Sequence, residues 1–120
     1  MLSDNKHFNS LIKLLLPQEV FDYFELVHIE VGDKEVHVYM NELNIPPESS
    51  TKEKLTSKGF HPEAIMQDFP LRDKAMYLHV RRRRWLVEPG GKVISRNWDT
   101  VAKGTRLTKG FATFLKGILG

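Results

Sequence analysis

Residues 79–93 read HVRRRRWLVEPGGKV, so four consecutive arginines, Arg81 to Arg84, run into Trp85 between strand-forming residues. Neighbouring side chains in a strand alternate faces. Arg81 and Arg83 therefore extend the face of Tyr77 and His79, and Arg82 and Arg84 extend the face of Met76, Leu78 and Val80. A guanidinium is not buried without a partner. The strand must run past the core here, break register with a bulge, or meet carboxylates. The first two outcomes expose an arginine-rich β-hairpin arm, with Lys92 and Arg96 on its returning strand. Trp85 and Trp98 flank that arm as stacking or cation–π surfaces.

The charge distribution frames the choice. A net charge of +3 hides 3 Lys/Arg against 9 Asp/Glu in residues 1–50 and 11 against 2 in residues 74–120. Such polarity points to nucleic acid as the partner of the basic half, or to pairing between the halves through acids such as Asp22, Glu30 and Glu35. An arginine fork matches phosphate oxygens and the guanine edge, which favours the first. With 120 residues, 41% of them hydrophobic, the chain reads as a single domain over 1–120. It has no cysteine, which removes disulfides and thiolate zinc sites and fits a reducing compartment. No apolar run is long enough for a membrane span, and the N-terminal residues do not read as a signal peptide. A cytoplasmic location without membrane contact is the expectation.

Along the chain, Phe8, Leu11, Ile12 and Leu15 have helical spacing, so residues 5–16 are expected to be helical, capped by Asp4 or Asn5. Pro17 suits the first position of a second short helix, PQEVFDYF. FELVHIEVGDKEVHVYM reads as a hairpin about a Gly32-Asp33 turn. That register pairs His28 with His37 and gives a core face of Val27, Ile29, Val31, Val36, Val38 and Met40. Residues 41–60, with Pro46-Pro47, read as a long connection and a candidate for mobility. AIMQDFP and AMYLHVRRRRW pair around Arg72-Asp73, with Ile65, Phe69, Met76, Leu78 and Val80 on one face. Trp85–Val87 and Lys92–Ile94 pair around EPGG, Pro89-Gly90 suiting a type II turn. Thr108 caps a closing helix whose stripe of Phe111, Phe114, Leu115 and Ile118 needs a partner. The fold class is thus α+β: an antiparallel meander of about five or six strands, N-terminal helices and a C-terminal helix.

Chemistry is sparse. A facing His28/His37 pair gives two metal ligands without a third, and His61 and His79 have no catalytic partner in the sequence. Nucleophile and phosphate-loop motifs are absent. The expectation is a non-enzymatic chain with no cofactor and no metal.

LLPQEVFDYFELVHIEV, NELNIPPE, MQDFPLRDKAMYLHVRRRRW and GKVISRNWDTVAKGTRLTKGFATFLK resemble the N-terminal region of insertion-sequence transposases in which a short reading frame precedes, or is fused to, a DDE catalytic region. The motifs nearest to that group are DFP at Asp68–Pro70 with the following YLHVRRRRW, and AKGTR at Ala102–Arg106. More distant relatives place a four-cysteine zinc module where residues 41–60 stand, and here its cysteines are missing. The resemblance implies binding of the element's terminal inverted repeats, with the catalytic acids lying outside this chain. The candidate DNA contacts are Arg81, Arg82, Arg83, Arg84, Trp85, Lys92, Arg96, Lys103 and Arg106, with Lys109 extending the surface. The rival expectation is a module that self-associates as a homodimer or docks on a separate catalytic chain through its helix faces; an inactive remnant is the third.

Overall fold

The computed structural model describes residues 10–47, 53–104 and 108–119. A helical segment over residues 10–15 (α1) leads into a short 3-10 helix, Gln18–Asp22. Seven strands follow: β1 (Phe24–Val31), β2 (Glu35–Glu42), β3 (Lys54–Phe60), β4 (Ala64–Leu71), β5 (Lys74–Arg81), β6 (Arg83–Glu88) and β7 (Lys92–Ile94). Helices α2 (Trp98–Gly104) and α3 (Lys109–Leu119) close the chain. The class is α+β, but the strands form two sheets rather than one meander. One sheet has the order β1-β2-β5-β4 and the other β3-β6-β7. Every pairing is antiparallel except that of β2 with β5, which is parallel.

The central place of β2 and β5 follows from their composition. EVHVYM and AMYLHV put Val36, Val38, Met40, Met76, Leu78 and Val80 on one face, and all six are buried. A strand flanked on both sides by strands is best filled by such residues, whereas β1 and β4, more polar, take the edges. Helices cover this face. Ile12 of α1, Leu16, Trp98 and Val101 of α2, and Phe111, Phe114, Leu115 and Ile118 of α3 join the strands in one core. Phe24 stacks on Trp98 and meets Phe114 edge-on. The α3 stripe thus finds within this core the partner that its sequence calls for. Each of its four side chains contributes about 1.5–3 kcal/mol on burial. Thr108 caps α3 as expected, its Oγ1 accepting the Phe111 N–H at 3.2 Å.

Two β-bulges correct the expected registers. Val31 pairs with Val36 and Ile29 with Val38, but the register shifts between Leu26 and His28. The extra residue turns Val27 outward and brings Leu26 and Phe24 to the core side. The turn is also longer than the expected Gly32-Asp33 pair: the Gly32 N–H donates to the Glu35 carbonyl, and Val31 pairs with Val36 rather than Lys34. That moves the register by two, so His28 faces Tyr39, His37 faces Glu30, and the predicted His28/His37 pair does not form. A second shift, between Asp68 and Leu71, belongs to β4. There Ala64 and Met66 pack on the core, while Ile65 and Phe69 are exposed. The hairpin turn at Arg72-Asp73 is as expected, with Arg72 at φ 57.

Residues 41–60 are not one long connection. β2 runs through Glu42, and Lys54–Phe60 forms a strand whose partner is β6. KLTSKGF alternates weakly, and a strand this polar becomes visible only once its partner is known. Residues 48–52 lie outside the described residues, as do the predicted helix start, its Asp4 or Asn5 cap, and Arg106.

Candidate nucleic-acid interface

The arginine run is the passage between the two sheets. β5 ends at Arg81 in the four-stranded sheet, and β6 begins at Arg83 in the three-stranded one. Arg82 between them belongs to neither strand. That single step changes the buried parity, from Met76, Leu78 and Val80 in β5 to Trp85 and Val87 in β6. The conflict posed by four arginines in one strand is resolved because the strand is broken in their midst.

Each arginine then has its own circumstance. Arg81 donates from Nε to Asn41 Oδ1 at 2.8 Å, and its guanidinium lies 4.3 Å from the centre of the Phe60 ring. Arg83 lies against the same ring at 4.7 Å and donates to the Glu42 carbonyl at 2.8 Å and to Ser57 Oγ at 2.7 Å. Arg82, half-buried, and Arg84, exposed, make no ion pair among the described residues, and neither do Arg81 and Arg83. Pairing with Asp22, Glu30 or Glu35 is absent among them.

The acid that meets this region is Glu42, 1% exposed at the end of β2. Its carboxylate accepts the Arg83 backbone N–H at 3.0 Å and the Arg96 Nε–H at 3.1 Å. Arg96 also donates to the Ile45 carbonyl and lies over the Tyr23 and Trp98 rings. A buried carboxylate requires such partners. Arg96, expected on a DNA-contacting arm, is instead a structural cation. Trp85 is fully buried and has no free face for stacking. No arm projects: the expected hairpin exists, Val87 pairing with Lys92 and Trp85 with Ile94, but as the middle and edge of a sheet. Its Glu88–Pro89 peptide is cis.

Sheet register gathers cations that the sequence left apart. Lys54 and Thr56 stand opposite Glu88 and Leu86, on the face that also carries Arg84. Lys58 is exposed at the bulge of β3. Lys54 and Lys58 were missed because their segment was read as a loop. His61 and Ser95 join the same rim, His61 Nε2 lying 2.6 Å from Ser95 Oγ. Burial, then the Arg82 and Arg84 charges, hold the His61 imidazole below its ordinary pKa. Lys92 is exposed at the start of β7, and Lys103 and Lys109 are exposed on α2 and α3.

The outer face of the four-stranded sheet holds a different cluster. The parallel pairing of β2 with β5 sets Tyr39 opposite His79, their rings stacked at 4.3 Å, and places His37 on Tyr77 at 5.2 Å. His37 Nδ1 lies 2.8 Å from His79 Nε2, His37 Nε2 2.8 Å from Glu35, and His79 Nδ1 3.2 Å from Glu63. Three contacts along Glu35–His37–His79–Glu63 require three protons on two imidazoles for all to be hydrogen bonds with both acids ionised. The nitrogens are spent in a line and do not converge, and no group of three metal-ligating side chains occurs among the described residues. Burial of the ring, then the Glu30 carboxylate, push the Tyr39 phenol above its usual value. This cluster borders a cavity of about 380 Å³ that Glu30, Glu63 and Arg81 also line.

No family model, curated protein or solved structure matches the chain. Among the described residues, no helix is long and apolar enough to cross a membrane.

Proposed function

We propose that the chain binds DNA through the outer face of the β3-β6-β7 sheet and the adjoining passage between the sheets. The observation that carries this reading is that none of Arg81 to Arg84 meets an acid in an ion pair among the described residues. The acid at the passage is satisfied by Arg96 and a backbone amide, which leaves Arg82 and Arg84 with their charge unspent. Lys54 adds exposed charge to that face, and Lys58 and Lys92 add it at the edges of the same sheet. Arg81 and Arg83, braced on Phe60, frame the contact. The resemblance to transposase N-terminal regions narrows the reading to recognition of an element's terminal inverted repeats, without catalysis, beside a catalytic chain encoded separately or downstream.

Fluorescence-anisotropy titration of an inverted-repeat duplex and a shuffled duplex tests both levels. Contacts from about four to five cations give a log–log salt slope near −4, at ~0.9 per phosphate neutralised. Arg82→Ala with Arg84→Ala reduces that slope by about 2. A preference for the repeat supports end recognition; equal affinity leaves DNA binding alone; no binding at low salt refutes the proposal.

A second reading has one observation in its favour. Leu15, Pro17, Met66, Phe69 and Thr113 line a groove of about 640 Å³ beside the edge strand β4, and Phe69 is 84% exposed. Exposed apolar surface of this kind suits a protein contact. Sizing chromatography that shows a dimer indifferent to DNA favours that reading.

A further inference from the structure

The two strands that flank β6 bring four groups to one spot. In the β3-β6 register Phe60 pairs with Arg83, so the next residue pair outward is His61 and Arg82. The His61 N–H donates to the Arg82 carbonyl at 2.8 Å, which fixes that step. In the β6-β7 register Trp85 pairs with Ile94, so the next pair is Arg84 and Ser95. His61 and Ser95 thus approach from opposite sides of β6, and their 2.6 Å contact bridges the strand between Arg82 and Arg84. Both guanidiniums lack an ion-pair partner among the described residues. An imidazole, a hydroxyl and two free guanidiniums around one short bridge form a set of donors with no anion to receive them.

We propose that His61, Arg82, Arg84 and Ser95 form a site for a single phosphate group, at which His61 takes up a proton as the phosphate binds. The inference rests on the DNA-binding reading of this face and names one phosphodiester contact within it.

The chemistry follows from the charges that face His61. Arg82, between the strands, and Arg84 of β6 oppose its protonation, and Glu42 of β2 favours it, though that carboxylate is engaged by Arg96 and the Arg83 N–H. Glu63, two residues along, is engaged by His79. A phosphate held by the two guanidiniums screens their charge and adds its own negative charge beside the ring. Both changes favour the imidazolium. As a cation, His61 donates from Nε2 to Ser95 Oγ, and the serine hydroxyl turns its hydrogen to a phosphate oxygen. By linkage, whatever raises the proton affinity of His61 on binding raises phosphate affinity when His61 is protonated. DNA affinity therefore rises as pH falls through the imidazole range.

The test is anisotropy with duplex DNA between about pH 8 and pH 5.5, the range in which imidazole titrates, together with NMR of the His61 ring nitrogens. A third arm uses inorganic phosphate to separate the lone anion from the nucleic-acid backbone. The expected result is a gain in affinity of up to about tenfold on acidification, set by the coupling between proton and phosphate binding. The ring nitrogens should move toward imidazolium as duplex is added. His61→Gln, which keeps a hydrogen bond to Ser95 but takes no proton, should match the wild type near pH 8 and lose the gain. Ser95→Ala should weaken binding at every pH. If duplex binds while the His61 nitrogens stay still and His61→Gln keeps the pH dependence, the phosphate site is refuted and the DNA reading stands. If duplex fails to bind at low salt and inorganic phosphate still protonates His61, the DNA reading fails and the anion site stands. If neither ligand moves His61, the site is refuted outright.

Discussion

Glu42→Gln is the perturbation that separates structural from functional cations most sharply. Glutamine keeps the shape of the side chain and an oxygen that accepts the Arg83 N–H, now 3.0 Å from the carboxylate. It removes the charge that faces Arg96, whose side chain is only 12% exposed. Removing one partner of a buried ion pair costs about 3–5 kcal/mol, because the other charge stays desolvated. Arg96 keeps its carbonyl acceptor and its contacts with the Tyr23 and Trp98 rings at 5.7 and 5.9 Å, so the lower figure, ~3 kcal/mol, is expected. Unfolding entropy of ~2.1 cal/mol/K per residue gives about 0.25 kcal/mol/K for 120 residues, so Tm should fall by about 12 °C. Urea denaturation and a thermal scan by circular dichroism measure it. Glu42→Gln with Arg96→Met removes the orphaned charge and should return stability to within about 1 kcal/mol of wild type. A single variant that loses less than ~1 kcal/mol, or a double variant no better than the single, refutes the argument that Arg96 is held inside the fold by Glu42.

Trp85→Ala should destabilise by about 3–5 kcal/mol through the cavity it leaves, measured by urea denaturation followed by circular dichroism. Trp85→Phe should lose much less, since the Trp85 indole N–H has no hydrogen-bond acceptor among the described residues, so no bond is broken. The lowered His61 pKa sets a sign for pH dependence: the unfolded imidazole, near 6.5, binds more protons than the folded one, so its contribution to stability is fully present above about pH 6.5 and is lost as pH falls through the lower folded value. Urea midpoints across that window should show the slope, and His61→Gln should remove it. Excess zinc should leave Tm unchanged, because the His37 and His79 nitrogens are spent on each other and on Glu35 and Glu63; a clear rise in Tm would show that they converge on metal after all.

Elements with strong local signals were legible in the sequence, and pairings between distant segments were not. The Thr108 cap, the α3 stripe, the Arg72-Asp73 turn and the Val87–Lys92 pairing all follow from neighbours in the chain. The sequence also carried an unread signal for α2, where Asn97 caps the helix by accepting the Thr100 N–H at 3.1 Å. Bulges were the main loss. One extra residue at Val27 and one step near Phe69 each reverse the faces of half a strand, and period-two reasoning has no means to place them. The parallel contact of β2 with β5 was equally hidden, since it joins residues about 40 apart. It alone brings His37, Tyr39, Tyr77 and His79 together. At the candidate interface, the arginine run was legible as a cluster of cations, but not that the side chains of Arg82 and Arg84, rather than those of Arg81 and Arg83, would be left without partners among the described residues. Lys54, Lys58, His61 and Ser95 became neighbours only through the second sheet.

Four adjacent arginines look redundant until the break at Arg82 is taken into account. A continuous strand would drive two of them toward the core side, where one buried acid could satisfy at most part of the charge. Ending β5 at Arg81 and starting β6 at Arg83 divides the run into two roles. Arg81 and Arg83 brace Phe60, and Arg83 also ties β6 to the end of β2 through Glu42. Arg82 and Arg84 then keep their charge for solvent or for an anion. The acid that could have neutralised them is committed to Arg96, from a segment beyond β7. Placing the compensating cation elsewhere in the chain is what leaves the passage between the sheets basic. A surface whose charge is preserved by an internal pair has a direct signature: replacing Arg96 by an uncharged residue frees Glu42, and the freed carboxylate should weaken the proposed DNA binding although Arg96 is itself held inside the fold by Glu42.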